Sequence, residues 1–210
     1  MPVITSIKAQ KNQKRVNINL DGSFGFGLDL ENFIRLGLKV NQELTQEEIK
    51  IITDEDEKAK ALEKVLRFAM IRPRSEKEIK DYFKRKNINE LIHWYILEKL
   101  KKYELLDDKK FAKWWVEQRQ TFSPKSKRIL NQELRIKGIK SEIISNTLED
   151  TEIDEVKIAK DLITKKIYKW QKYDEKVRRQ KISLYLAGKG FSWNVVSDVL
   201  KSIKEMRYDN

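Results

Sequence analysis

Apolar and polar positions alternate over the first 28 residues and then change period. In VNINL, Val16, Ile18 and Leu20 fall on one face of a strand, with Asn17 and Asn19 on the other. SFGFGL continues the register through Phe24, Phe26 and Leu28, and Asp21-Gly22 between the two runs supplies a hairpin turn. The segment LENFIRLG then closes on Gly37, and Thr45 with Glu48 carries the signature of a capping box that opens a helix. From there onward the spacing is almost wholly helical.

Within that helical stretch one template recurs three times. Its copies are Ile79, Phe83, Asn87, Ile88, Ile92; then Leu130, Leu134, Gly138, Ile139, Ile143; then Ile182, Leu186, Gly190, Phe191, Val195. The middle position holds residues that tolerate the left-handed conformation ending a helix, and each is followed at once by a large apolar residue. Each copy therefore reads as helix, tight stop, helix, with four-residue apolar steps burying one stripe on both sides. Asn89, Ser141 and Ser192 are suitable caps for the later helix, and Ala61, Ala112 and Ala159 mark a further helix at the start of each unit.

The pattern predicts a mainly α protein: three tandem three-helix modules in an elongated, curved body, preceded by a small β-containing head. The ranges are 1–52 for the head, 53–106, 107–152 and 153–210 for the modules. Acid-rich TDEDEKAK, residues 53 to 60, either continues the helix opened at Thr45 or, with Thr53 as a fresh cap, begins the next one, and is taken as the hinge between head and body.

Short motifs fill in the joints. In LLDDKKFAKWWVEQRQ the neighbouring aspartates point about 100° apart on a helix, so they do not form a paired-carboxylate centre. Asp107 or Asp108 instead caps the helix that follows, and Phe111 with Trp114 or Trp115 packs into the joint. Ser75 with Glu78 reads as a second capping box, and in FSPKSKRI Ser123 reads as a cap with Pro124 at the first helical position.

Composition narrows the chemistry. The 210 residues contain no cysteine and one histidine, His93, so neither disulfides, thiolate catalysis nor an ordinary zinc site is expected. Gly22, Gly25 and Gly27 have the wrong order for a phosphate loop. No catalytic residue, metal or cofactor is nominated; an undetected carboxylate-metal nuclease is the only enzyme reading left. No segment is apolar enough to cross a bilayer and the first residues lack a signal-peptide core, so a soluble cytoplasmic protein is expected. Forty-five Lys and Arg against thirty-three Asp and Glu give a net charge of +12, which favours a polyanionic partner over a membrane because acids are interspersed.

RPRSEKEIKDYFKRKNI, LLDDKKFAKWWVEQR and RILNQELRIKGI, taken together, closely resemble the bacterial RecX family, regulators of the RecA recombinase. The resemblance covers residues from about 59 to 204 in order, and the head resembles the extension of members from low-GC Gram-positive bacteria. Asn87 departs from the usual glycine, and TFSPKSK replaces a turn that commonly contains glycine. The resemblance implies a non-enzymatic protein that lodges in the groove of the RecA–DNA filament and lowers its ATPase, strand exchange and growth, acting in recombination, DNA repair and the SOS response. Direct, sequence-nonspecific binding to single- or double-stranded DNA without RecA is the alternative that the basic helix-turn-helix units allow. A monomer is expected, because tandem modules bury one another's apolar faces.

Candidate partner- or DNA-contacting cations are Arg72 and Arg74 beside Pro73, and Arg119, Lys127, Arg128, Arg135 and Lys137 in the second module. In the third module they are Lys176, Arg178, Arg179 and Lys189. There Lys165, Lys166, Lys169, Lys172 and Lys181 also surround Tyr168, Trp170 and Tyr173, a mixture suited to phosphates and bases. Ser75, Asp107, Asp108, Phe111, Gly138 and Gly190 are assigned structural roles in caps, joints and turns.

Overall fold

The computed structural model describes residues 1–11 and 13–205; the last five positions of the range read as the third module lie outside them. Strands β1 (Ile4–Ala9), β2 (Arg15–Leu20) and β3 (Ser23–Asp29) form an antiparallel sheet in sequence order. Asp21 and Gly22 both have positive φ, as the two-residue hairpin between β2 and β3 requires. Val16, Ile18, Phe26 and Leu28 are buried, but Phe24 is exposed. The ladder pairs Ile18 with Phe26 and Asn19 with Phe24, so Gly25 is an extra residue in β3. That bulge turns Phe24 to the opposite face, and a Cβ on Gly25 would sit 2.7 Å from Leu20 Cγ.

Helix α1 (Leu30–Leu36) closes on Gly37 in the left-handed conformation. Helix α2 (Gln46–Met70) follows, opened by the complete Thr45–Glu48 capping box. It runs unbroken through residues 53 to 60, so the segment read as a hinge is continuous helix. No glycine or proline interrupts it, and Asp56 is drawn inward. Its carboxylate is buried between Arg15 (2.8 Å), Lys60 (2.6 Å) and the Asp29 N–H (3.1 Å). Ile52 of α2 belongs to the head core with Ile4, Ile18 and Leu28, whereas Ala61, Val65 and Ala69 belong to the core of the first module. One helix thus joins the two.

The body continues as α3 (Glu76–Arg85), α4 (His93–Lys102), α5 (Asp108–Phe122), α6 (Lys127–Ile136), α7 (Ser141–Asp150), α8 (Glu155–Thr164), α9 (Glu175–Gly188) and α10 (Trp193–Glu205). Three cores follow the three template copies: around Ile79 and Phe83, around Leu130 and Leu134, and around Ile182 and Leu186. Each fully buried side chain of this kind contributes about 1.5–3 kcal/mol of hydrophobic stabilisation. In the later copies the first buried residue of the following helix is Ile144 and Val196, one position beyond the template's Ile143 and Val195. The first copy differs because a 3-10 turn, Glu90–Ile92, precedes α4 and brings Ile92 inward at its tighter pitch.

The caps also refine the sequence reading. Asn89 accepts from the Leu91 N–H and Ser192 from the Val195 N–H, but Ser141 is already the first helical residue and makes no cap bond. Ser126, not Ser123, caps α6; Ser123 ends α5 and Pro124 lies in the linker. His93 stacks on Phe83 at 4.3 Å and its Nε2 lies 2.9 Å from the Ile88 carbonyl, a packing role.

Candidate nucleic-acid and partner interface

Two joints of the same design link the modules, and they decide which cations remain available. At the first, Ser75 caps α3 by accepting from the Glu78 N–H, while its hydroxyl donates to the Lys137 carbonyl at the end of α6 (2.8 Å). Lys77 donates to the Ile136 carbonyl (2.8 Å). At the second, Ser126 caps α6, its N–H donates to the Lys189 carbonyl at the end of α9 (3.3 Å), and Arg128 Nε donates to the Gly190 carbonyl (3.3 Å). Carbonyls that a helix end leaves without partners are thus satisfied by the start of the preceding module's middle helix.

Carboxylates complete both joints. Asp107 caps α5 itself, accepting from Lys109 and Lys110 N–H, whereas Asp108 reaches back to the Glu76 N–H in the first turn of α3 (2.9 Å). Glu155, the first residue of α8, accepts from the Lys127 N–H in the first turn of α6 in the same way (2.6 Å). Burial raises the Asp108 carboxyl, and the bond from Glu76 N–H only partly offsets it. Gly138 and Gly190 have positive φ and are also pressed against the neighbour: a Cβ would meet Lys77 Cβ at 2.8 Å and Ser126 Oγ at 2.5 Å, respectively. Asn87, their counterpart at the end of α3, is exposed, so it tolerates a side chain.

A mixed network of cations, rings and carboxylates covers the first joint. Glu78 does not return to the Ser75 N–H as the capping-box reading expected. It takes a two-pronged pair from Arg72 (2.9 and 3.0 Å) and a third bond from Lys137 (2.7 Å). Burial alone would raise this carboxyl, but the bonds from Arg72 and Lys137 hold it below its ordinary range. Arg72 lies over Trp114, Lys137 over Trp115, and Arg119 over Trp115 while it pairs with Glu133 at 2.7 Å. Phe111 is buried beside both tryptophans. Arg74 lies 3.9 Å over Phe68, which stacks on Tyr82; burial, then repulsion from Arg72, pulls its guanidinium below the usual value.

The nominated cations therefore divide. Arg72, Arg119 and Lys137 are held by carboxylates at the first joint, Arg74 by a ring, and Arg128 by a carbonyl at the second. Arg178 is buried in α9. Lys127, Arg135, Lys176 and Arg179 are exposed, and Lys189 is half-buried over Tyr185. Among the described residues every ion pair lies at or before Lys137 except Lys201 with Asp198. The third module instead sets lysines over tyrosines: Lys166 and Lys189 over Tyr185, Lys169 over Tyr168, and Lys172 and Lys181 over Tyr173. Its acids Asp154 and Asp174 act as helix caps. The sequence did not single out Lys125, which the Ser126 to Lys189 bond brings to the end of α9, or Tyr185, which lies under Lys166 and Lys189.

Family models describe three parts of this architecture in turn. Residues 2–45 match the regulatory protein RecX N-terminal domain, residues 107–148 the RecX second three-helix domain, and residues 152–200 its third three-helix domain. Regulatory protein RecX of Bacillus licheniformis is 36% identical, over 100% of this chain and 80% of the relative. The chain belongs to the RecX family. Regulatory protein RecX of Bacillus subtilis is 32% identical, over 100% of this chain and 79% of its own length. A crystal structure of regulatory protein RecX superposes with a TM-score of 0.68 at 31% identity, over 95% of this chain and 98% of the other. RecX from Lactobacillus salivarius shares the fold, with a TM-score of 0.62 over 71% of this chain and 98% of its own. RecX proteins are regulatory proteins rather than known enzymes. Among the described residues no helix is long and apolar enough to cross a membrane, and no cluster of ligating side chains suited to a metal occurs.

Proposed function

We propose that this protein binds the RecA–single-stranded DNA filament along its helical groove and lowers its ATPase, strand exchange and growth. It acts as a cytoplasmic monomer without catalytic activity of its own. The observation that carries the reading is the division of charge: cations of the first joint have internal partners, while the third module keeps a lysine and tyrosine strip without ion pairs. Such a strip attracts a polyanion without a sequence code. A row of linked modules offers an extended face to a helical assembly, and a bound row obstructs subunit addition or favours one filament state.

The same strip supports direct DNA binding without RecA as a second reading. One experiment separates them. Single-stranded-DNA-dependent ATP hydrolysis by RecA is followed while this protein is titrated from far below to equal stoichiometry, with DNA binding by the protein alone measured in the same buffer. Inhibition well below coverage of the DNA supports the filament-directed regulator. Inhibition only when the protein coats the DNA overturns it in favour of the direct binder.

A further inference from the structure

The second joint differs from the first in its charges. At the first, Glu78 sits among Arg72 and Lys137. At the second, three half-buried lysines from separate segments converge with no carboxylate bonded to any of them: Lys125 in the linker before α6, Lys166 after α8, and Lys189 at the end of α9. Lys166 Nζ lies 4.6 Å and Lys189 Nζ 6.0 Å from the centre of the Tyr185 ring. The bond from Ser126 N–H to the Lys189 carbonyl brings Lys125 alongside. Trp170 packs on Tyr185 at 5.5 Å, so the floor of the cluster is aromatic.

We propose that Lys166 and Lys189, which lie over Tyr185, form together with Lys125 at the second joint a seat for one phosphodiester of a single-stranded nucleic acid. Three ammonium groups that make no ion pair among the described residues, the nearby Glu155 carboxylate being taken by the Lys127 N–H, are arranged as point donors, which suits phosphate oxygens. Burial, with repulsion from Lys125 and Lys166, holds the Lys189 ammonium below its ordinary value, a cost that a bound anion removes. A strand rather than an acidic peptide fits because the lysine-over-tyrosine arrangement recurs at Tyr173, where Lys172 and Lys181 lie 5.3 and 4.6 Å from the ring. Such repetition suits successive phosphates and bases. Lys125 precedes α6 while Lys166 and Lys189 belong to the third module, so the bound phosphate ties two modules together. The seat gives the DNA contact of the proposed function a location, and to that extent rests on it.

The test uses the full chain without recombinase. Binding of a fluorescent oligothymidylate is measured at several salt concentrations for the unaltered protein, for a joint variant (Lys125→Gln, Lys166→Gln, Lys189→Gln) and for a control on α2 with the same charge loss (Lys50→Gln, Lys58→Gln, Lys64→Gln). The joint variant is expected to bind about tenfold more weakly, with a slope of log K against log salt shallower by about 0.7 for each phosphate no longer neutralised, and the control to change little. Equal losses in both variants overturn the seat in favour of diffuse charge. Thermal unfolding supplies a second readout: without oligonucleotide the joint variant unfolds no lower than the unaltered protein, and oligonucleotide raises the midpoint of the unaltered protein more than that of the variant. If the triple variant fails to fold, its stability expectation fails, and the single Lys166→Gln variant carries the binding comparison. Unchanged oligonucleotide binding combined with lost RecA inhibition assigns the cluster to a protein carboxylate and overturns the proposal. Localised oligonucleotide binding without RecA inhibition keeps the seat and removes the filament reading.

Discussion

Gly190 shows how much one hydrogen atom in place of a Cβ decides. The residue stops α9 with positive φ, and its vacant side-chain position is filled by Ile129 and Ser126 of the preceding module. Gly190→Ala combines a left-handed alanine with overpacking and is expected to destabilise the chain by about 2–4 kcal/mol in urea unfolding. Asn87→Gly, at the corresponding exposed position, is expected to change stability by under about 1 kcal/mol in the same measurement. The turn itself was legible in the sequence, because Asn and Gly are the residues for that conformation. The close approach was not, since it depends on Ser126 and Ile129, residues of another module more than 60 positions away. The burial of Asp56 was hidden for a like reason: nothing sets it apart within an acid run, and Arg15, from another element, draws it inside. Burial would raise the Asp56 carboxyl, but bonds from Arg15, Lys60 and the Asp29 N–H hold it below the ordinary range. Its folded value lies below its unfolded one. The stabilisation is therefore complete above about pH 4 and lost as pH falls through the folded value. Asp56→Asn should flatten the acid limb of stability against pH below that point, and an unchanged limb would show that the carboxylate contributes nothing.

At the scale of elements, the paired aspartates before α5 divide their work: Asp107 holds its own helix and Asp108 the start of α3. Asp107→Ala is expected to cost about 1 kcal/mol, the usual loss for a helix cap. Asp108→Ala removes the partner of a half-buried N–H and should cost about 1–2 kcal/mol, whereas Asp108→Asn keeps an acceptor while removing the charge that burial disfavours. The linkage has the opposite sign to that of Asp56. With the folded value raised, the cost of ionising Asp108 is present at neutral pH and is relieved as pH falls through that value. Asp108→Asn should thus be less destabilising than Asp108→Ala at pH 7, as chemical denaturation would report; the reverse order would show that the charge itself holds the joint. The helix, stop, helix repeat was legible because its period of 51 and 52 residues preserves apolar spacing on both sides of each turn. The cation assignments were less so. A basic residue looks the same in a sequence whether a carboxylate pairs with it across a joint, as Glu78 does with Lys137, or a ring alone lies beneath it, as Tyr185 does beneath Lys166.

For the whole molecule, α2 contributes to two cores at once, so the head and first module should lose structure together. Hydrogen exchange is expected to protect the amides of β2 and of residues 61 to 69 with similar opening free energies, and much weaker protection in β2 would show that the head opens alone. The two ends of the row are also unlike its joints. At one end Asn87 presents a side chain where a docking partner needs a glycine. At the other α9 starts a turn early at Glu175, and buried Arg178 occupies the place of Ser75 and Ser126. Neither Asn87 nor Arg178 repeats the residue that makes the corresponding contact at the two joints. For the monomer proposed above, size is then encoded by the chain rather than by concentration: copies gathered on one long polymer would keep separate, equal footprints, like sleepers under a rail.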